Sequence, residues 1–309
     1  MHFSETVTVF HNMPLPEPAT PVGYAALIDA YQLQVPWPRH LSAIALRHHQ
    51  DDNEQWRIYG PRYQPDNTLL GHLTFALKYE GLDLAVLKRL FMNLPVQEIT
   101  ELITTIPSGR YTRRIWFLYE WLLKTTLPID DLQRGAYVDA VDERQQWAVS
   151  GVNSPRHRVR NNLPGTPDFC PMVFRTAAIE HFQQLQLPKL AQQQLKHLSR
   201  DIAARTTAFL LLKDSRSSYA IEGESPPQHR LQRWSQALRE AGRHPLNQET
   251  LLHLQNMVIG DARFVTMGLR QQGGFVGTHD PQNRYPIPDH ISAHPDDVAD
   301  LVQAMIDYN

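Results

Sequence analysis

From residue 66 onward, apolar positions recur at the three-and-four spacing of helices that bury one side. Leu69, Leu70, Leu73, Ala76 and Leu77 form one such stripe, with Asp66 or Asn67 placed to cap it and Gly81 to end it. Short helices are predicted over 84–91 and 96–105 and a longer one over 111–124, with Pro107-Ser108-Gly109 breaking the chain between the last two. Ahead of them, the pattern predicts a helix near 24–31 and a strand near 56–59, whereas residues 1–22, rich in Pro and polar side chains, read as an extended lead-in. Residues 127–170 have little periodicity and read as an irregular surface connection that includes the basic run 154–162.

The second half is more regular. Pro188 suits the first turn of a long helix to about residue 213, with Ala191, Leu195, Leu198, Ile202 and Phe209 on one stripe. Residues 214–223 either continue it or form a short helix of their own, stopped by Gly223 and Pro226-Pro227. Leu231, Trp234, Leu238 and Ala241 mark the next helix, and Asn247 caps another carrying Leu251, Leu254 and Val258. A last helix starts at Pro295, with His294 as cap and Asp296 and Asp297 in its positive first turn. The expected fold class is therefore mainly α, in two parts: an N-terminal, mostly helical domain over 1–170 and a second part over 185–309.

Composition narrows the function classes. A length of 309 residues accommodates about two domains. A formal charge of −2 gives no bulk attraction to nucleic acid or anionic lipid. Cys170 is the one cysteine, which excludes an intramolecular disulfide and a Cys-rich zinc site and makes a reduced, cytoplasmic setting the default. No secretory signal and no apolar run of membrane-spanning length is present, so a soluble protein with no membrane partner is expected.

Within 214–223 lies Ser218-Tyr219-Ala220-Ile221-Glu222-Gly223. In a helix, Ser218 and Glu222 share a face, and Glu222 sits at the negative end, where a cation from elsewhere would stabilise it. Gly223 permits a left-handed cap and close approach of a neighbour. By itself this is equally the pattern of a solvated Glu at a routine helix end. Farther on come Gly268-Leu269-Arg270, then Gly273-Gly274-Phe275-Val276-Gly277-Thr278-His279-Asp280, then Arg284-Tyr285-Pro286-Ile287-Pro288. Two strand candidates, 275–277 and 285–287, flank Asp280-Pro281-Gln282-Asn283, which suits a type I turn. Such a ribbon can accept an extended segment as a further strand, although Pro286 and Pro288 restrict which edge does so.

In this order, over about 205–309, the features resemble those of Fic-family nucleotidyltransferases of the subclass with an N-terminal inhibitory helix. The resemblance implies an all-helical Fic fold with a small β-hairpin flap. It implies an inhibitory helix at 214–223 carrying Ser218, Glu222 and Gly223, and a target-docking flap at 273–288 with Gly277, Thr278 and His279. It also implies transfer of AMP from ATP, with Mg2+, onto a hydroxyl of a protein target, and pairing of Glu222 with an arginine of the catalytic motif. That motif, His-x-Phe-x-Asp/Glu-Gly-Asn-Gly-Arg-x-x-Arg, does not occur in the 309 residues. The expectation is thus a chain truncated before its catalytic loop, with no catalytic residue and no metal ligand of its own, inactive alone and binding neither ATP nor Mg2+ tightly.

Two other readings stand beside it. An antitoxin-like regulator would supply Glu222 in trans. A DNA-binding protein would use 96–124 as a helix-turn-helix, in a winged-helix-like N-terminal domain, with Arg110, Arg113 and Arg114 opening its second helix and Arg156, Arg158 and Arg160 adding phosphate contacts. Trp116, Phe117, Tyr119, Trp121, Leu122 and Leu123 make that helix apolar on most sides, which suits a core better than a groove and argues against nucleic acid as a partner. His48-His49-Gln50-Asp51-Asp52 reads as a hydrated loop before it reads as a cation site. A homo-oligomer is compatible with the sequence.

Overall fold

Residues expected as an extended lead-in instead form two strands, β1 (Val7–Phe10) and β2 (Met13–Val22), joined by His11 and Asn12 at φ +46° and +65°. Two consecutive left-handed residues make the kind of tight turn whose twist matches a hairpin. Pro14, Pro16, Pro18 and Pro21 hid β2 from sequence reading; Pro16 and Pro18 have no partner residue, whereas Pro14 stands opposite Val9 of β1 and Pro21 opposite Ala43 of β3 (Leu41–Ala45), which pairs with Ala19–Val22. A proline in a strand is tolerated where its nitrogen has no ladder bond to make. β3 pairs in parallel with β4 (Trp56–Tyr59), completing a sheet in the order β1-β2-β3-β4. The computed structural model describes residues 3–46, 55–196, 200–221, 223, 228–259 and 267–309. Its chain divides into two units, Met1–Thr176 and Ala177–Asn309.

In the first unit, α1 (Tyr24–Ala30) follows β2 directly, and α2 (Leu69–Phe75) is capped by Thr68 rather than by Asp66 or Asn67. Asn67 instead accepts a hydrogen bond from the Phe3 N–H at 3.2 Å. α2 runs on as a π-helical turn, Ala76–Glu80, which ends at Gly81 with φ +87°. Then come α3 (Leu84–Asn93), α4 (Val96–Thr105) and α5 (Arg110–Leu123). Leu27, Leu73, Leu77, Leu87, Ile99, Ile103 and Trp116 belong to one fully buried apolar cluster that these helices share.

The supposed irregular connection over 127–170 contains a three-stranded sheet of β5 (Val138–Asp139), β6 (Val152–Ser154) and β7 (Val159–Asn161). Strands this short need side-chain support, and Glu120 of α5 supplies it. Its carboxylate accepts from Trp116 Nε1 at 2.8 Å, the Leu127 N–H at 2.9 Å and Arg156 Nη2 at 2.9 Å, and it lies 2.9 Å from His157 Nε2. Burial alone would raise the Glu120 pKa, but the bonds from Arg156, Leu127 and Trp116 hold it below the usual carboxylate value. The basic run is thus partly consumed inside the fold.

The second unit contains α6 (Ala177–Gln184), α7 (Leu187–Leu195), α8 (Arg200–Ile221), α9 (Gln228–Glu240), α10 (Gln248–Ile259), the hairpin β8 (Phe275–His279) and β9 (Pro286–Ile291), and α11 (Pro295–Tyr308). The single helix expected from 188 to about 213 is therefore two, and its stripe residue Leu198 lies outside the described residues. α8 meets α9 through small side chains: Ser215 and Ser235, both fully buried, place their hydroxyls 3.1 Å apart. Helices predominate among the described residues. Among the described residues no helix is long and apolar enough to cross a membrane.

Candidate functional site

Ser218 lies exposed on the last turns of α8, and its hydroxyl donates to the Asp214 carbonyl at 3.0 Å. That bond occupies the hydroxyl within its own helix. Gly223 follows the helix with φ +71°, and its N–H donates to the Ala220 carbonyl at 3.1 Å. A Cβ there would meet nothing within 4 Å, so the backbone angle, not crowding, is what calls for glycine. Glu222 lies outside the described residues, as does the His48–Asp52 stretch.

Gly277, Thr278 and His279 stand together on β8, opposite Pro288, Ile287 and Pro286 of β9. Gly277 sits at a register shift with φ +152°, and a Cβ on it would fall 2.3 Å from the Ile287 carbonyl oxygen. Only glycine fits that bulge. The tip carries the expected Asp-Pro turn in widened form: Asp280 accepts on its side chain from the Gln282 and Asn283 N–H groups at 2.8 and 3.0 Å. The Arg284 N–H reaches the Asp280 carbonyl, with Arg284 itself left-handed at φ +59°. Those two backbone bonds lower the Asp280 pKa. Among the described residues no hydrogen bond or ion pair joins this strand to Ser218 or Gly223.

Of the cations considered for DNA, Arg113 and Arg114 are buried. Arg114 donates to the Ala140 carbonyl at 2.8 and 3.0 Å and to the Leu77 carbonyl at 3.2 Å, and Arg113 donates to the Ala136 carbonyl at 2.7 Å. Arg156 serves Glu120, and Arg158 donates to the Leu132 and Gln133 carbonyls at 3.1 and 2.6 Å. These guanidiniums act as internal braces.

Sequence reading missed a cavity of about 290 Å³ in the first unit. Glu80, the last residue of the π-helical turn, forms its floor together with Ser42 of β3. One Glu80 oxygen accepts from the Tyr24 N–H at 2.8 Å. This approach requires Gly23, φ +62°, since a Cβ there would fall 2.0 Å from the same oxygen. The Tyr24 hydroxyl donates to the Gly81 carbonyl at 2.9 Å and accepts from the Asp83 N–H at 3.1 Å, tying α1 to the start of α3. Asp83 is occupied in capping α3 through the Val86 N–H at 3.0 Å.

The other Glu80 oxygen and the Ser42 hydroxyl are buried and make no hydrogen bond of good geometry. Burial pushes the Glu80 carboxyl up to about 7, against the nearby Ser42 hydroxyl, the Tyr24 N–H and the charge of Arg57, all of which favour the ionised form. Arg39, Arg57 and Arg175 contribute cations, and Tyr79 and Phe174 contribute aromatic surface. Phe174 and Arg175 are delivered by backbone bonds: Trp147 N–H to the Val173 carbonyl and Arg175 N–H to the Gln145 carbonyl, each 2.8 Å. The Arg175 guanidinium lies 3.9 Å from the centre of the Trp147 ring. These groups come from widely separated stretches of chain, and no local motif announces them.

No protein-family model matches the chain, and no curated protein or solved structure is significantly similar to it.

Proposed function

We propose that residues 185–309 dock a protein target and restrain AMP transfer in a Fic-like adenylyltransferase, with Glu222 as the restraining carboxylate. The observation that carries this reading is the one-sided hairpin β8–β9, which stands after the Ser218-to-Gly223 segment and two helices and before α11. In an antiparallel ladder, successive residues point their N–H alternately toward the partner and away from it. The Asp280 N–H bonds the Tyr285 carbonyl at 2.9 Å, so the next pair out, His279 and Pro286, turn their nitrogens outward. Gly277 and Pro288 do the same two residues on. The outer margin of β9 therefore lacks donors at 286 and 288, while β8 keeps N–H groups at 277 and 279. An extended target segment has its better template along β8.

The chemistry of transfer does not come from these residues. ATP and Mg2+ need a phosphate-binding turn and an acidic ligand, and the 309 residues contain no Gly-Asn-Gly turn of the family's kind. What this chain contributes on the present reading is recognition and restraint. The decisive experiment expresses the natural gene with Glu222→Gly beside the parent and measures incorporation of labelled AMP into protein. A rise of about tenfold or more is expected, the scale of a lost restraint worth about 1.4 kcal/mol. Equal incorporation in the two would contradict the assignment.

A further inference from the structure

We propose that the cavity floored by Glu80 and Ser42 binds a small organic molecule that offers an N–H donor to Glu80 and an anionic group to Arg57 and Arg39. The inference does not depend on the Fic-like reading, since every group it uses lies in the first unit.

The unspent chemistry of the cavity defines the ligand. Glu80 is 9% exposed and Ser42 wholly buried; both line the cavity, where the Ser42 hydroxyl lies close enough to the Glu80 carboxylate to favour its ionised form, yet neither Glu80 Oε1 nor Ser42 Oγ makes a hydrogen bond of regular geometry. A buried acceptor left in that state costs about 1–3 kcal/mol, and a native fold that retains one calls for a specific explanation. An N–H donor on a ligand removes the deficit at Glu80, and an oxygen of its anionic group removes that at Ser42.

Above the floor, Arg39 makes no hydrogen bond or ion pair among the described residues, and the charge Arg57 acts on is that of Glu80. Asp83 is committed to its helix cap, so a ligand anion would meet the Arg39 guanidinium and share that of Arg57 with Glu80. Tyr79 and Phe174 supply apolar surface for the body between the two ends. A volume of about 290 Å³ stands at the small end of ligand cavities, which run from about 300 to 1,000 Å³, and restricts the occupant to a metabolite-sized molecule. The π-helical turn that sets Glu80 in place belongs to a class of distortion frequent at functional sites.

Two sources share this chemistry: a free amino acid, through its ammonium and carboxylate, and a nucleoside monophosphate, through base N–H groups and phosphate. The 309-residue protein is screened by thermal shift against the twenty common L-amino acids and the common nucleoside monophosphates, and hits are titrated calorimetrically. At least one member of one panel should bind with a Kd below about 1 mM. Glu80→Gln and Arg57→Gln should each weaken that ligand about tenfold or more, because each removes a charge-assisted contact. Arg39→Ala lies on the exposed rim, leaves the fold intact and should weaken it as well. If far-UV circular dichroism shows Glu80→Gln misfolded, the two arginine variants decide. No binding from either panel means that water satisfies the floor, and the proposal fails. It fails equally if the arginine variants bind a hit as tightly as the parent does.

Discussion

Two buried side chains give the first unit opposite responses to pH. The Glu80 carboxyl is pushed by burial to about 7 from an ordinary 4.5, so the folded protein holds its proton longer than the unfolded chain does. The stabilisation from the protonated acid is complete below about 4.5 and is lost as pH rises through about 7. His72, in ring contact with Phe3 at 4.9 Å, is lowered by burial to about 4 from 6.5. Its contribution is complete above 6.5 and is lost as pH falls through about 4. Each shift corresponds to roughly 3 kcal/mol at most. Between about 4.5 and 6.5 the two slopes oppose, so the parent should show a flat profile there. In urea melts from pH 4 to 8, Glu80→Gln should unmask a stability that climbs from pH 4 to 6.5, and His72→Gln one that falls from 4.5 to 7. Parallel curves for all three proteins would refute both assignments. The lone cysteine is chemically quiet: burial pushes the Cys170 thiol up to about 11, with its sulfur 3.9 Å from that of Met172.

At the scale of elements, the hairpin invites the sharpest test. His279→Pro removes an outward N–H that the ladder does not use, so it should abolish capture of a target strand while the hairpin persists. Gly277→Ala drives a methyl against the Ile287 carbonyl and should unpair the ribbon itself. NMR amide shifts of β9 separate the two: retained in the first variant, collapsed in the second. On the proposed adenylyltransferase reading, unchanged target labelling with His279→Pro would show that β8 is not the docking margin. Elements with strong local signals were legible from sequence: the helices at 84–93, 96–105 and 110–123, the strand at Trp56–Tyr59 and the ribbon with its Asp-Pro tip. Those missed depend on distant partners. β2 is disguised by its prolines, of which Pro16 and Pro18 have no partner in either neighbouring strand while Pro14 and Pro21 sit within the ladders, and β5–β7 are held by Glu120 from another part of the chain. The cavity was invisible because Tyr24, Ser42, Arg57, Glu80 and Phe174 share no period or spacing.

For the molecule as a whole, the two units differ in how much they bury. The first has a continuous core in which Leu27, Leu73, Leu87, Ile99 and Trp116 are fully buried. In the second, the buried side chains among the described residues are Ser215, Tyr219, Leu231, Ser235, Ala237 and Ala304, while Phe209 and Ile221 are 66% and 84% exposed. Hydrogen exchange should therefore be slow in α3 and α5 and faster by about a hundredfold or more in α8 to α11, the scale of a difference of about 2.7 kcal/mol in opening free energy. Equal protection would show that the second unit is stabilised in a way its buried side chains do not account for.

The proline spacing of β9 also sets how copies of this chain can associate. A ribbon open on both margins can recruit neighbours without end, which is the route to fibres. Here one margin is sealed at alternate positions, so two copies meeting through their β8 strands present only sealed margins outward. Were copies to pair by that route, the next chain would meet a margin short of donors at 286 and 288, which disfavours further growth.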